Sequence, residues 1–227
     1  LSLLGVGLTL YLLERPSLVE DSQAERARRL RWLLLPLFAL WANLDAWFVL
    51  GPAVVGLYAL GEVLRRLFGG VRPVRPGELR TLLSLTLAGL AACLLTPYHY
   101  HIFAWPAPLG LSHAEQVLMQ NPLGQGLVVS PFAREATGRF STAPAFASPG
   151  GWAYCLLLTA GAASFALCRR TLRPGRLLVW LALAGLSIYQ ARAIPFFAVA
   201  AAPILALNIQ EYLRTAALSE ALRALQT

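Results

Sequence analysis

The sequence predicts an all-α, polytopic transmembrane helix bundle of about seven spans, some of them short hairpins, with one long extracytoplasmic loop. Three observations predict it. Apolar blocks of membrane length recur along the chain, and roughly 20 helical residues cross a bilayer core. Hydrophobic residues make up 57% and charged residues 13%, where a soluble domain carries about 25% charge. The arginines collect in alternate turns between apolar blocks, the bias that orients membrane proteins.

Residues 1–13 are apolar, with no basic n-region and no small-residue cleavage site. They read as the tail of a truncated helix rather than as a signal peptide. Residues 1–227 are then a single membrane domain, a piece of a longer protein whose remainder is an expected partner. Residues 14–31, ERPSLVEDSQAERARRLR, are polar, with Pro16 as a breaker. They are expected as a cytoplasmic basic loop.

The run 31–66 is too long for one ordinary span and short for two, and it is interrupted by Asn43 and Asp45. One long tilted helix would bury Asp45 in hydrocarbon, which is costly without a partner or a wet cavity. A hairpin, out over 32–42 and back over 46–64, puts Asn43-Leu44-Asp45 at its far tip. Residues 65–80 form a second cytoplasmic basic loop, where Gly69-Gly70, Pro73 and Pro76 forbid a continuous helix. The next span is 79–95, with Ala88, Gly89, Ala91 and Ala92 allowing close helix contact.

Residues 96–151 hold seven prolines and all three histidines. Their opening aromatics, Tyr98, Tyr100, Phe103 and Trp105, suit the membrane interface. A loop this long is functional or disordered, and its apolar content argues against disorder. It is expected to pack over the outer face. Residues 152–168 re-enter, 169–176 form a cytoplasmic turn, 177–190 cross outward and 194–209 return. Residues 210–227 are an amphipathic cytoplasmic tail. This topology places sixteen arginines on one side and only Arg134, Arg139 and Arg192 on the other. A single helix over 31–66 would spoil that segregation, so the hairpin is preferred.

All nineteen basic residues are arginine, and the net charge is +8. Because the arginines lie in turns rather than on one patch, they report topology and contact with anionic lipid headgroups, and nucleic acid is not an expected partner. Cys93, Cys155 and Cys168 fall inside spans without metal-ligand spacing and read as buried free thiols.

Phosphate loops, nucleophile elbows and zinc signatures are missing from the sequence. His99 and His101 would share a face in an extended segment and could hold a metal. No third ligand lies nearby, so no metal site is expected, a divalent ion being possible but unsupported by spacing. His99 and His101 are expected, with Arg192 and Asn43, among the contacts to substrate or lipid phosphate, and interfacial hydrogen bonding is the plainer role. Arg192 is the only charge between Arg176 and Glu211. At an outer tip, before a helix begun at Pro195, its guanidinium suits bidentate phosphate contact, with helix N-terminal donors beside it. Its plainer roles are a snorkelling arginine or a partner for Asp45. Asp45 could be a general base, a metal ligand or that partner, or simply the cap that opens the return helix. Asn43 could bind sugar hydroxyls. Glu62, Glu115 and Glu135 read as solvated or loop charges.

Several segments carry a resemblance: Leu40-Trp41-Ala42-Asn43-Leu44, Gly51, Leu57-Tyr58-Ala59-Leu60-Gly61-Glu62, Thr96-Pro97-Tyr98, and Gln190-Ala191-Arg192-Ala193-Ile194-Pro195-Phe196-Phe197-Ala198. With them nearly the whole chain resembles an uncharacterised family of bacterial multi-pass membrane proteins similar to the GT-C glycosyltransferases. The resemblance implies a bacterial inner-membrane enzyme that takes a sugar from a polyprenyl-phosphate donor at the outer face. It also implies a principal catalytic carboxylate in a first outer loop preceding these residues, and Arg192 as a contact for the donor phosphate. Where that pattern has histidine and glycine after Asn43-Leu44, this chain has Asp45-Ala46. Two other classes stay open: a non-catalytic membrane anchor or assembly subunit, and a transporter or flippase-like domain suggested by the paired hairpins.

Overall fold

The computed structural model describes residues 1–18, 21–68, 77–97, 130–132, 149–169 and 172–224. Among these residues the secondary structure is helical, without a strand. The helices are α1 (Ser2–Leu18), α2 (Asp21–Arg29), α3 (Leu34–Leu44), α4 (Leu50–Phe68), α5 (Glu78–Cys93), α6 (Pro149–Leu167), α7 (Pro174–Tyr189) and α8 (Ile194–Ala224). Short 3₁₀ turns, Leu30–Leu33, Ala46–Val49 and Ala191–Ala193, lead into α3, α4 and α8. Three helical stretches are long and apolar enough to cross a membrane: Ala46–Phe68, Pro149–Leu167 and Ala191–Thr215. Helix α7 is apolar but shorter. This is a membrane protein, and an all-helical one where it is described.

The run 31–66 is broken where the sequence places the break. Asp45 is extended (φ −155, ψ 141), ends α3 and caps the turn into α4 by accepting a hydrogen bond from Trp47 N. The two arms nevertheless pack mainly through their neighbours. Helix α3 lies on α5, α5 on α4, α4 on α7, α7 on α8, and α8 on α6. Helix α1 touches α3, α4 and α8 and so closes a ring.

Phe38 of α3, fully buried, fills that ring. It fits because Gly51 and Gly89 face it: a Cβ on Gly51 would come within 2.5 Å of its ring, and one on Gly89 within 2.9 Å. Trp41 packs on Gly5 of α1 in the same way, at 2.7 Å. On the other side of the ring Phe165, Trp180, Phe197 and Tyr154 form a ladder of edge-on contacts with centroids 5.8–5.9 Å apart. Such aromatic pairs add about 0.5–1.5 kcal/mol each beyond burial.

Several expected loops are helical instead. Helix α1 runs through Pro16 to Leu18, although a proline there deletes the bond to the carbonyl four residues back. Within 14–31, α2 forms because Ala24 and Ala27, three residues apart on one face, are buried on α1. Within 65–80, α4 continues to Phe68, so Arg65 and Arg66 lie in its last turn, where cations suit the helix dipole. Glu78 opens α5, with its charge at the matching end. Helix α8 is continuous past Gln210, so the tail does not form a separate element. Arg176 belongs to α7 rather than to the preceding turn. Most of 96–151 lies outside the described residues.

Candidate functional site

One end of the bundle gathers the start of α1, the α3–α4 junction and the α7–α8 junction. Ser2 donates its hydroxyl to Asp45 Oδ2, and Trp41 Nε1 donates to Ser2 Oγ at 2.9 Å. Asp45 Oδ1 accepts from Trp47 N at 3.1 Å. Both oxygens of Asp45 are thus engaged in holding the turn, the capping role. Trp47, a residue the sequence does not single out, carries the site further. Its ring lies 4.7 Å from that of Phe196, and the Arg192 guanidinium carbon sits 5.3 Å from its centroid, a cation–π distance.

Arg192 Nε donates to Gln190 Oε1 at 2.9 Å. Gln190 is 1% exposed and extended at the end of α7, and its carbonyl accepts from Ala193 N at 3.0 Å. A buried amide and an indole face therefore orient the guanidinium. Asp45 and Arg192 meet through Trp47, whose backbone N–H donates to Asp45 and whose ring faces the guanidinium. Asn43 serves a different contact: its Nδ2 donates to the carbonyls of Ala39 at 2.7 Å and Leu95 at 3.0 Å, fastening α3 to the chain beyond α5. His99 and His101 lie outside the described residues. Among the described residues no group of three side chains is placed to hold a metal ion.

The cap makes a testable prediction. Asp45→Ala is expected to lower stability by about 1 kcal/mol, as loss of an N-cap does, and Asp45→Asn to lose much less. Thermal unfolding in detergent distinguishes the two; equal losses would show that the carboxylate's charge matters rather than its capping oxygen.

The opposite end holds a larger polar assembly. Arg176 is 2% exposed. It donates Nε to Glu14 Oε1 at 2.8 Å and Nη2 to Oε2 at 2.6 Å, a two-point contact that suits a guanidinium. Tyr58 Oη donates to Glu14 Oε1 at 2.7 Å. Arg176 Nη1 reaches Asn208 Oδ1 at 3.5 Å and Glu211 Oε2 at 3.4 Å. Arg173 lies 3.6 Å from Glu14 and 3.5 Å from Glu211. Asn208 continues the chain, donating Nδ2 to Ser164 Oγ at 3.1 Å. Burial opposes the charge on Glu14, but the hydrogen bonds and charge of Arg176, with Tyr58 and Arg173, outweigh it and lower its pKa to about 2.

At this same end Arg31 bonds Glu78 at 2.6 Å and the Leu13 carbonyl at 2.8 Å. Glu62, expected on a solvated face, is instead buried and paired with Arg65 at 2.7 Å and Arg66 at 3.4 Å. The sequence names none of these pairs. An acid just after an apolar run (Glu14) and an arginine opening another (Arg176) are signals of charges near a membrane boundary. Their pairing across 162 positions is set by packing. The chain matches no protein-family model, no curated protein and no solved structure.

Proposed function

We propose that the chain crosses a bacterial inner membrane seven times, with the Glu14 end in the cytoplasm. In this reading the Asp45 end faces outward and binds the phosphate of a polyprenyl-phosphate sugar. It serves there as the donor-binding part of a GT-C-like glycosyltransferase. The observation that carries the reading is the fixed guanidinium of Arg192, oriented by Trp47 and the buried Gln190 at the end away from the other arginines of the described helices. Supporting the topology, Arg26, Arg31, Arg65, Arg80, Arg173 and Arg176 all belong to helix ends or turns near Glu14. Trp47, half-buried, brings an indole ring beside the anion site. Asp45, with its oxygens engaged, shapes the turn and is not assigned the role of base.

The engaged carboxylate of Asp45 also favours a second reading, a non-catalytic membrane subunit with the same phosphate contact absent. Binding of undecaprenyl phosphate to the full chain in nanodiscs separates them. Arg192→Ala is expected to weaken binding at least about tenfold, the value of a hydrogen bond to a charged group, with Arg192→Lys intermediate. Unchanged affinity in folded Arg192→Ala removes the phosphate role, and no binding by the unaltered chain favours the subunit reading.

A further inference from the structure

The charged assembly around Arg176 has a neighbour that gives it a second meaning. Helix α8 contains Pro203. A proline inside a helix deletes the hydrogen bond to the carbonyl four residues back and weakens the ladder at that point. On the N-terminal side of this weak point α8 is anchored by apolar burial: Phe196, Phe197, Ala200 and Ala201 are 0–6% exposed, and Ile204, just past it, 2%. On the C-terminal side that anchoring stops. From Leu205 to Thr215 only Asn208 is buried, while Ile209, Tyr212 and Leu213 are 42–60% exposed.

Among the described side chains, what fastens this part of α8 to the ring is therefore polar. Asn208 and Glu211 reach Arg176, Glu211 also reaches Arg173, Asn208 bonds Ser164, and the Asn208 carbonyl accepts from Cys168 Sγ at 3.1 Å. The fastened partners belong to α6, α7 and the turn between them, and Glu14 of α1 completes the charge balance. Among the described residues two arginines and two carboxylates meet there. Such a buried group of charges adds little net stability over apolar packing, yet it is unforgiving of a lost partner. Polar fastening next to a weakened helix is the kind of contact that can exchange a docked for a released arrangement.

We propose that the C-terminal half of α8 is a gate, hinged at Pro203 and latched by Glu211 and Asn208 onto Arg173 and Arg176, whose release opens the bundle at the Glu14 end. This goes beyond the lipid-phosphate reading, which concerns the opposite end. The released state uncovers the gap between α6 and α7, where Cys168 lies buried. Release needs no covalent step, only exchange of the ion pairs for water.

Cys168 is the natural reporter. With Cys93 and Cys155 replaced by alanine, the full chain is reconstituted in nanodiscs and the rate of Cys168 alkylation by a water-soluble maleimide is followed. Glu211→Gln is expected to raise that rate about tenfold or more, the population change expected from losing hydrogen bonds between charged groups. Pro203→Ala, by restoring the helix, is expected to return the rate of the Glu211→Gln chain most of the way to the starting value. Arg173→Gln, at a side chain 29% exposed, makes the same test should Glu211→Gln not fold. An unchanged rate in a folded latch variant overturns the gate. So does a raised rate that Pro203→Ala leaves untouched, since release would then not be hinged there.

Discussion

Arg176→Met is expected to lower the stability of the folded chain by about 3–5 kcal/mol, the range for removing one partner of a buried ion pair. The size follows from what is left behind. Glu14 loses two hydrogen bonds, of 2.8 and 2.6 Å, and keeps Tyr58 and the more distant Arg173. Glu211 loses Arg176 and keeps Arg173. Glu14 stays buried and Glu211 nearly so, and an unpaired charge held away from water is costly. Methionine fills much of the arginine's volume, so the loss reports charge rather than a cavity. Removing Glu14 as well, as Glu14→Gln with Arg176→Met, should recover a large part of it, because the double change leaves no stranded charge from this pair.

The pH dependence has a definite sign. The carboxyl of Glu14 is lowered in the folded chain from its usual 4.5 to about 2. The unfolded chain therefore binds its proton first as pH falls, and the stability conferred by the pair is complete above about pH 4.5 and lost as pH drops towards 2. Melting temperatures in detergent between about pH 3 and 7 should fall for the unaltered chain. They should fall less for Arg176→Met, which has lost that contribution already. Parallel curves would mean that Glu14 is not held down by Arg176.

How much of this was legible without coordinates depends on whether a feature is local. The break at Asp45 could be read because a polar pair inside an apolar run has to leave hydrocarbon or find a partner, and Asp45 is also a good cap. The expected spans 152–168, 177–190 and 194–209 correspond to α6, α7 and the first part of α8 for the same reason, since apolar blocks and their flanking charges bound a helix. The sequence places Asp45 and Arg192 at outer tips. That they converge was not legible, because the meeting place is Trp47, one aromatic among many, and its role comes from α8 bringing Phe196 and Arg192 to it. The Glu14 cluster was hidden more deeply. Glu14, Arg173 and Arg176 each looked like a charge in a solvated turn, and composition gives the mean environment of a charge rather than its partner. Helix α2 is hidden by the same bias, its five charges outweighing the two alanines that seat it.

The closest approach of two helices yields the second large effect. Gly61 of α4 and Gly175 of α7 face each other so tightly that a Cβ on Gly61 would overlap the Gly175 nitrogen and Cα, with the Pro174 carbonyl carbon at 2.9 Å. Small residues at such crossings let membrane helices approach backbone to backbone. A side chain in the way can rotate, but a backbone in the way can yield only if the whole helix moves. Gly61→Ala is therefore expected at the upper end of overpacking losses, about 3 kcal/mol. Any shift of α7 at Gly175 also displaces Arg176, the next residue, from Glu14, so acid sensitivity should weaken together with stability. Gly185 provides the control within the same helix. A Cβ there meets nothing within 4 Å, and Gly185→Ala should be neutral or gain up to about 1 kcal/mol from helix propensity. Unfolding of the two variants side by side in one detergent reads the difference directly: a gap of about 3 kcal/mol or more supports the α4–α7 contact, and equal stabilities would mean that the two helices do not cross there.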